Sequence, residues 1–335
     1  MTWIALWLCG CGLLPQARTV QVDSGDPWDI PAEYTDAAWL QVATFNSSWL
    51  WAAYGEGYTP RNTVDYAMIA RLFQGFDLDL VGLQEVDGEG ALALLELPEP
   101  WAWAVGETGW SQNPAILWRA DRLRVENVRE VHLEGNEWPT KDPLVADVQS
   151  LDGSLAFTFV VVHHAAYSDN ESAAQRYAQA VALHAWLVDE LATEQDHAPF
   201  SDHVLVGGDF NDAFTPLNSA WPSLEVFEDD PGFAFATRDA EDYSQISYRS
   251  LIDHLVLSEA LWSAYRDMGQ PGACQVVAHD LLSPWSDYDG GYGGRQNISD
   301  HRPVWIYLAV EHEPARQRVA GEVRSARQRA NAARP

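Results

Sequence analysis

The sequence predicts a single α/β domain over roughly residues 36–310. Short apolar runs typical of buried strands alternate there with longer segments whose apolar residues recur at helical spacing. The region contains no internal repeat and no linker rich in Gly, Ser or Pro. Strands and helices that alternate without interruption are typical of one α/β domain rather than two separate ones.

Eight apolar runs predict the strands, and two segments between them predict helices. Residues 62–76 place Val64, Ile69, Leu72 and Phe73 at helical spacing. Ser168 followed by Glu171 fits a capping box and predicts a second helix that ends near Glu194. The predicted strands are Trp39–Phe45, Leu78–Leu83, Ala115–Trp118, Leu144–Val148, Phe157–Val162, Val204–Val206, Leu251–Leu257 and Val304–Val310.

The charge of the chain restricts its partners. A formal net charge of −29 over 335 residues argues against a long cationic groove for duplex DNA. It does not exclude a phosphate substrate. Charges are screened over about 8 Å at physiological salt, so the charges within the pocket determine whether a phosphate binds.

The two ends of the chain differ from its body. Residues 1–17 carry no charged side chain and resemble a secretory leader, and residues 18–35 read as a linker. The stretch ending at Cys11 resembles a bacterial lipobox, which predicts a lipid anchor on that cysteine; the alternative is a cleaved signal ending near Ala17. We therefore expect an exported protein that is secreted, periplasmic or anchored at the cell envelope. Residues 311–335 form an Arg/Ala-rich tail.

Polar side chains lie at the ends of the predicted strands. Strand ends of an α/β sheet converge on one edge, where sites are normally built. Each residue alone could belong to a turn or a packed core, but a carboxylate within an apolar strand, as at Asp253, needs a partner. Together they predict a functional site. The residues are Asn46, Glu85, His164, Asp209, Asn211, Asp253, Asp300 and His301.

The motifs that carry these residues occur in the order VATFN, VGLQEV, NPAILWRADRL, FVVVHHA, VGGDFND, LIDHLVLS and SDHRPV. In this order the chain resembles the endonuclease/exonuclease/phosphatase family, which includes deoxyribonuclease I and neutral sphingomyelinases. The resemblance extends from Val42 to Val304. It implies a deoxyribonuclease I-like, four-layer α/β sandwich with two central mixed β-sheets. It also implies hydrolysis of a phosphate ester with Mg²⁺, or with Mn²⁺ or Ca²⁺ in its place.

The resemblance also implies a metal site. Glu85 would be the principal ligand, with Asn46 beside it and Asp300 as a second or alternate ligand. Carboxylate and amide oxygens are the donors that a hard divalent cation prefers.

The same resemblance implies catalytic roles for five residues. Asp209 would deprotonate the attacking water, and Asn211 would donate a hydrogen bond to a phosphate oxygen. His301 would stabilise negative charge on the phosphate or transfer a proton, while Asp253 would hold its ring. Because consecutive strand residues point to opposite faces, only one of His163 and His164 is expected in the pocket. The family pattern aligns His164 with the catalytic histidine.

Two basic residues are candidates for substrate binding. Lys141 resembles a basic residue that the family places before a proline-led strand, and Arg249 lies just upstream of Asp253. Either side chain could contact a phosphate, and a solvated surface arginine is the alternative for Arg249.

These residues predict an exported, metal-dependent phosphodiesterase acting on nucleic acid, with no obligate protein partner. A sphingomyelinase-like phospholipid phosphodiesterase is the enzymatic alternative. A non-catalytic surface binding protein of the same fold is the alternative from another class.

Overall fold

Two six-stranded sheets pack face to face in the computed structural model, which describes residues 39–133, 141–192, 202–240, 242–266, 274–289 and 296–309. Helices cover the outer faces, so the predicted four-layer α/β sandwich with two mixed sheets is confirmed. The predicted leader, with Cys11, the linker and the Arg/Ala-rich tail lie outside the described residues. The domain boundaries therefore remain predictions.

Both sheets have the same plan, in which a central parallel pair is flanked by antiparallel strands. The parallel pairs are β1 with β2 and β7 with β8. In spatial order the first sheet contains β11 (Gln275–Val276), β12 (Val304–Ala309), β1 (Trp39–Leu50), β2 (Leu80–Val86), β4 (Asn113–Arg119) and β3 (Trp101–Val105). The second contains β5 (Leu123–Glu130), β6 (Leu144–Ser150), β7 (Ala156–His163), β8 (Val204–Asp209), β10 (Asp253–Ser258) and β9 (Phe233–Phe235).

Three apolar clusters hold the layers together. One lies between the sheets and includes Val42, Phe159 and Leu255, which are fully buried. The second packs α1 on the first sheet, and the third packs α3 and α4 on the second. The helices are α1 (Thr63–Gly75), α2 (Glu89–Ala93), α3 (Asn170–Ala192), α4 (Glu225–Glu228), α5 (Glu259–Arg266) and α6 (Trp285–Asp289).

All eight predicted strands are present, with ends that differ by a few residues. Four further strands were not predicted: β3 was overlooked although Trp101–Val105 is an apolar run, and the other three lack a long apolar run. β3 is half-buried throughout and β5 is mostly exposed, while β9 and β11 have three and two residues.

The helix boundaries show one confirmation and one correction. Asn62 caps α1 with a capping box completed by Asp65, as the 62–76 prediction requires. The predicted Ser168 cap of α3 is wrong by one residue, because Asp169 accepts hydrogen bonds from the backbone nitrogens of Glu171 and Ser172. No helix in the described parts of the chain is both long and apolar enough to span a membrane.

Gly208 lies where β8 runs closest to its parallel neighbour β7. A Cβ at this position would lie 2.1 Å from the backbone oxygen of Val162, whereas at Gly207 it would meet side-chain atoms of Leu255 at 3.0 Å. The backbone of a central strand cannot move aside without breaking its hydrogen bonds, but a leucine side chain can shift.

We therefore predict that Gly208→Ala lowers the free energy of unfolding by about 3 kcal/mol or more, and Gly207→Ala by about 1 kcal/mol. Urea unfolding followed by circular dichroism measures both. Equal destabilisation by the two variants would contradict the close approach at Gly208.

Candidate active site

The inner faces of the two sheets continue into the polar site at one edge. Strand side chains alternate between faces, and the core residues Val42, Phe159 and Leu255 mark the inner face of β1, β7 and β10. Counting in steps of two along each strand from its inner core residues leads to Asn46, His163 and Asp253, and on β8 to Asp209. The edge thus collects polar groups from four strands of both sheets.

Glu85 reaches the site differently. By simple alternation it would follow Val81 and Leu83 to the outer face, where these two residues pack against the helix layer. Instead Glu85 has a φ of 63°, and the pairing of β2 with β4 shifts register after Leu83. A non-glycine residue in this region is uncommon and costs energy, which makes the local bulge a feature of the site.

Asn46 connects the acidic residues of the two sheets. Its side-chain nitrogen donates to Glu85 Oε1 at 3.2 Å and to Asp209 Oδ2 at 3.0 Å. Its side-chain oxygen accepts from the backbone nitrogen of Ser48 at 2.9 Å. The amide nitrogen therefore faces the carboxylates, so Asn46 acts here as a hydrogen-bond donor between them.

His301 and Asp253 form the buried pair that the sequence predicts. His301 Nδ1 donates to Asp253 Oδ2 at 2.7 Å, and Nε2 of the same ring lies 4.0 Å from Asp209 Oδ2. Burial alone would lower the pKa of His301, but the Asp253 carboxylate outweighs it and raises the pKa to about 10. The ring therefore carries a positive charge at neutral pH.

Two further carboxylates near His301 also have raised pKa values, which in a carboxyl group favours the neutral form. Burial raises the pKa of Asp209 to about 7, and the charge on Asp253 adds to the rise. Burial also raises the pKa of Glu85, against the opposing charge of His301. At this edge the hydrogen bonds of Asn46 and the charge of His301 offset only part of the cost of burying these carboxylates.

The structure places His163, and not His164, beside these carboxylates. His163 Nε2 lies 3.8 Å from both Glu85 Oε1 and Asp209 Oδ2. His164 follows Val162 to the outer face, where its ring packs 4.9 Å from that of Phe210. The sequence assigned the pocket to His164 by family alignment, whereas the alternation of β7 selects His163.

Both histidines are held neutral. Burial keeps the pKa of His163 well below its ordinary value, and the charges of Lys141 and His301 act in the same direction. Burial and Arg176 lower the pKa of His164 to about 3. His163 is therefore a neutral hydrogen-bonding group next to Asp209, while His164 contributes its backbone oxygen, which accepts from Asn211 Nδ2 at 3.2 Å.

Lys141 lies within the electrostatic reach of the site. Burial lowers its pKa, and the carboxylates of Glu85 and Asp209 oppose that shift. The structure thus places this predicted substrate-binding lysine near both acids.

Asp300 and Arg249 are joined to the site through the loop 245–250. Gln245 bridges to His301 in an antiparallel pairing, and its side-chain nitrogen lies 3.4 Å from Asp300 Oδ2. Gln245 also pairs with Ser250, which leaves Arg249 exposed near the tip of the loop with a φ of 53°. Asp300 is thus next to His301, and Arg249 is at the rim.

Arg61 was not predicted as a site residue from the sequence, yet it holds two backbone segments that carry site residues. Its buried guanidinium donates to the backbone oxygens of Ser47, Ser48 and Trp49 after Asn46, and to those of Asn297 and Ile298. These two segments set the positions of Glu85 and His301. The backbone nitrogen of Trp49 donates to Glu85 at 3.0 Å, and Ser299 Oγ accepts from the His301 backbone nitrogen. A charged residue next to a predicted helix cap gives no sequence signal for this role.

The donor set suits a hard divalent cation. Asp209, Asp253 and His301 offer atoms within 4.8 Å of one another, but the charged His301 ring has no lone pair to give. Glu85 and the nearby Asp300 remain as oxygen donors, and because burial raises the pKa of Glu85, a bound cation would favour its charged form. These residues would hold the cation that the family requires.

We predict that Asp253 and His301 act as one unit. Asp253→Ala and His301→Ala should each lower kcat by on the order of 10² to 10⁴, and the double variant should be little worse than the worse single one. The measurement is kcat on one phosphodiester at saturating Mg²⁺, with folding checked by circular dichroism. Multiplicative losses in the double variant would mean that the residues act separately.

The pH dependence of stability gives a second readout of the pair. Because the pKa of His301 is raised from 6.5 to about 10, the pair stabilises the fold fully below pH 6.5 and loses this effect as the pH rises towards 10. Asp253→Asn should remove that dependence. The measurement is the free energy of unfolding as a function of pH. The control is Asp230→Asn, which breaks a His184–Asp230 contact of 2.8 Å that involves none of these site residues. It should leave the loss of stability between pH 6.5 and 10, and kcat, unchanged.

Comparison with known proteins identifies the family to which this fold and sequence belong. The family model of the Endonuclease/Exonuclease/phosphatase family matches residues 43–301. No curated protein sequence matches the chain significantly.

Solved structures of the family share the fold at low identity. An endonuclease/exonuclease/phosphatase family protein from Bacteroides thetaiotaomicron has a TM-score of 0.57 at 19% identity, over 82% of this chain and 96% of that one. The human Nocturnin catalytic domain with bound sulfate has a TM-score of 0.55 at 16% identity, over 82% and 94%. A mannosyl-6-phosphatase from B. thetaiotaomicron has a TM-score of 0.53 at 17% identity, over 80% and 98%. With the family model matched across both sheets and the site, the chain belongs to the endonuclease/exonuclease/phosphatase family.

Proposed function

We propose that the protein is an Mg²⁺-dependent phosphodiesterase that hydrolyses nucleic acid. The observation that carries this proposal is the convergence of Glu85, Asp209 and the charged His301 at one edge, with Asn46 joining the two acids. Phosphoryl transfer to water needs a carboxylate that can bind a cation, a base and a positive charge within a few ångströms of one another. The family description, which names endonucleases and exonucleases, supports nucleic acid as the substrate class.

Asp209 is the proposed base. Its pKa of about 7 lets it take a proton from water near neutral pH, and the backbone nitrogen of Asn211 holds its second oxygen at 2.8 Å. As the water oxygen bonds to phosphorus, the ester P–O bond breaks, and the departing oxygen takes a proton from solvent. The neutral His163 ring lies beside the other Asp209 oxygen, with its Nε2 atom 3.8 Å from Oδ2.

His301 and Lys141 supply the positive charge that opposes the charge developing on the phosphate. His301 is suited to this role because Asp253 keeps its ring protonated well above neutral pH. Asn211 would turn its amide from the His164 oxygen to a phosphate oxygen, and Arg249 would contact a phosphate at the rim. Glu85 and Asp300 would hold the cation, which would supply positive charge to neutralise the phosphate oxygens.

We predict that a chelator abolishes hydrolysis, that Mg²⁺ or Mn²⁺ restores it, and that Glu85→Gln raises the Mg²⁺ concentration needed for half-maximal activity at least tenfold. The variant removes the charge that a hard cation requires from its ligand. Glu89→Gln, an exposed glutamate in the first turn of α2, is the matched control and should titrate like the wild type.

Single-stranded DNA, sphingomyelin and mannose 6-phosphate serve as substrates in parallel. The proposal expects hydrolysis of the nucleic acid and little of the other two. Full activity in excess chelator would exclude the metal-dependent mechanism, and a preference for sphingomyelin would replace nucleic acid with a phospholipid. No hydrolysis of any ester would favour a binding protein of this fold.

We also propose that residues 1–17 export the protein and that Cys11 carries a lipid, a proposal supported by their composition alone. The expected result in a Gram-negative bacterial host is incorporation of labelled palmitate into the full chain and its loss in Cys11→Ala. Cys9→Ala, which changes the other leader cysteine, is the control and should remain labelled. Protein that stays unlabelled and in the cytosol would exclude both export and the anchor.

A further inference from the structure

Four exposed aromatic side chains lie on loops at the carboxylate edge, and we propose that they form an aromatic rim that binds the unstacked bases of a single-stranded nucleic acid. The rim consists of Tyr58, Trp110, Tyr167 and Tyr248. The inference rests on the proposed phosphodiesterase function and defines the form of its substrate.

The rim residues differ from the other aromatic residues in their exposure. Their relative exposures are 77%, 83%, 80% and 82%, whereas the next most exposed aromatic side chain in the described part of the chain, Tyr54, reaches 41%. Large rings are normally buried for the free energy that their apolar area provides. Four rings held in solvent are therefore candidates for contact with a ligand.

Two of the rings belong to loops that are joined to residues of the acidic centre through one intervening residue. The ring of Tyr58 packs 4.5 Å from that of Trp49, whose backbone nitrogen donates to Glu85. On another loop, the backbone nitrogen of Tyr248 donates to the side chain of Gln245 at 2.6 Å. Gln245 in turn pairs with His301, so the separate loops that carry these two rings are both joined to the site.

The other two rings come from loops that flank the same strand ends. The backbone oxygen of Trp110 accepts from Asn113 at 2.6 Å, and Asn113 pairs with Val86, the residue after Glu85. Tyr167 lies three residues after His164 in the loop that follows β7, and the buried Arg176 holds that loop by donating to the Tyr167 backbone oxygen at 2.7 Å. The rim thus draws on loops from both sheets.

The charge of the protein favours stacking over phosphate tracking. With 20 Lys and Arg against 49 Asp and Glu, the chain offers little cationic surface for a polyanion. Aromatic rings bind bases without charge and without regard to sequence. Bases within a duplex are already stacked on each other, which leaves only unpaired bases for the rim.

The residues around the rings fit bases better than a membrane. The loop sequences around them, GEGYTP, GETGWSQ, AAYSDN and SYRS, contain no Leu, Val or Phe. A membrane-binding surface combines aromatic residues with aliphatic and basic ones. Rings on four loops also exceed what a single sugar could contact, so the substrate they fit is an extended strand.

The test measures binding of a fluorescent deoxythymidine 10-mer to the full chain with Asp209→Asn, which prevents cleavage, in Mg²⁺. Binding should weaken at least about fivefold with each added substitution, because each removes a ring that contacts a base. The substitutions are Tyr58→Ala, Trp110→Ala, Tyr167→Ala and Tyr248→Ala. A 10-mer without bases should bind weakly and equally to all of these proteins. Leu151→Ala, an exposed apolar residue in the turn between β6 and β7, is the control and should bind like the parent.

Each outcome supports or contradicts the proposal that the aromatic rim binds bases. Equal losses for the base-free and the normal strand would show that the rings do not act through bases, and undiminished binding in all four variants would show that they do not act at all. Tighter binding to sphingomyelin vesicles, lost in the same variants, would replace the bases with a membrane. Cleavage of the base-free strand by the wild-type protein tests the proposed phosphodiesterase separately, because it requires no base.

Discussion

The packing of the two sheets through their inner faces is the constraint on which the site depends. Phe159 of one sheet and Val42 of the other belong to the same buried cluster, and the strands that carry them lead to the polar edge. Since the faces are fixed by this cluster, Asp209 and Asn46 are brought together from different sheets, and the bulge in β2 turns Glu85 towards them. The Asn46 amide then bridges Asp209 and Glu85, at 3.0 Å and 3.2 Å. A slip of one residue in either sheet would turn these side chains away.

Burial at this edge shifts the pKa values of acidic and basic groups in opposite directions, and both shifts favour the neutral form. It raises the pKa of Asp209 to about 7 and keeps His163 neutral, because a low dielectric disfavours any isolated charge. His301 is the exception, since the Asp253 carboxylate at 2.7 Å more than offsets the same cost. One environment thus yields a base that titrates near neutral pH and a cation that persists beyond it.

Two buried guanidiniums hold the loops that shape the site. Arg61 joins the segment after β1 to the segment before His301 through five backbone oxygens. Arg302 donates twice to Asp280 and once to Asp242, and its guanidinium stacks 4.0 Å from the Tyr243 ring. Because an unpaired buried charge is very costly, these loops are fixed by the need to satisfy each arginine.

The sequence alone determined the α/β class, the eight main strands and the candidate site residues, because strand periodicity and polar strand ends are local patterns. The pairing of Asp253 with His301 and the role of Asp209 came from the family resemblance of the motifs. The choice of His163 over His164, the bulge that turns Glu85 inward and the role of Arg61 required the tertiary structure. Each depends on which face packs against a distant part of the chain, and no local pattern records that contact.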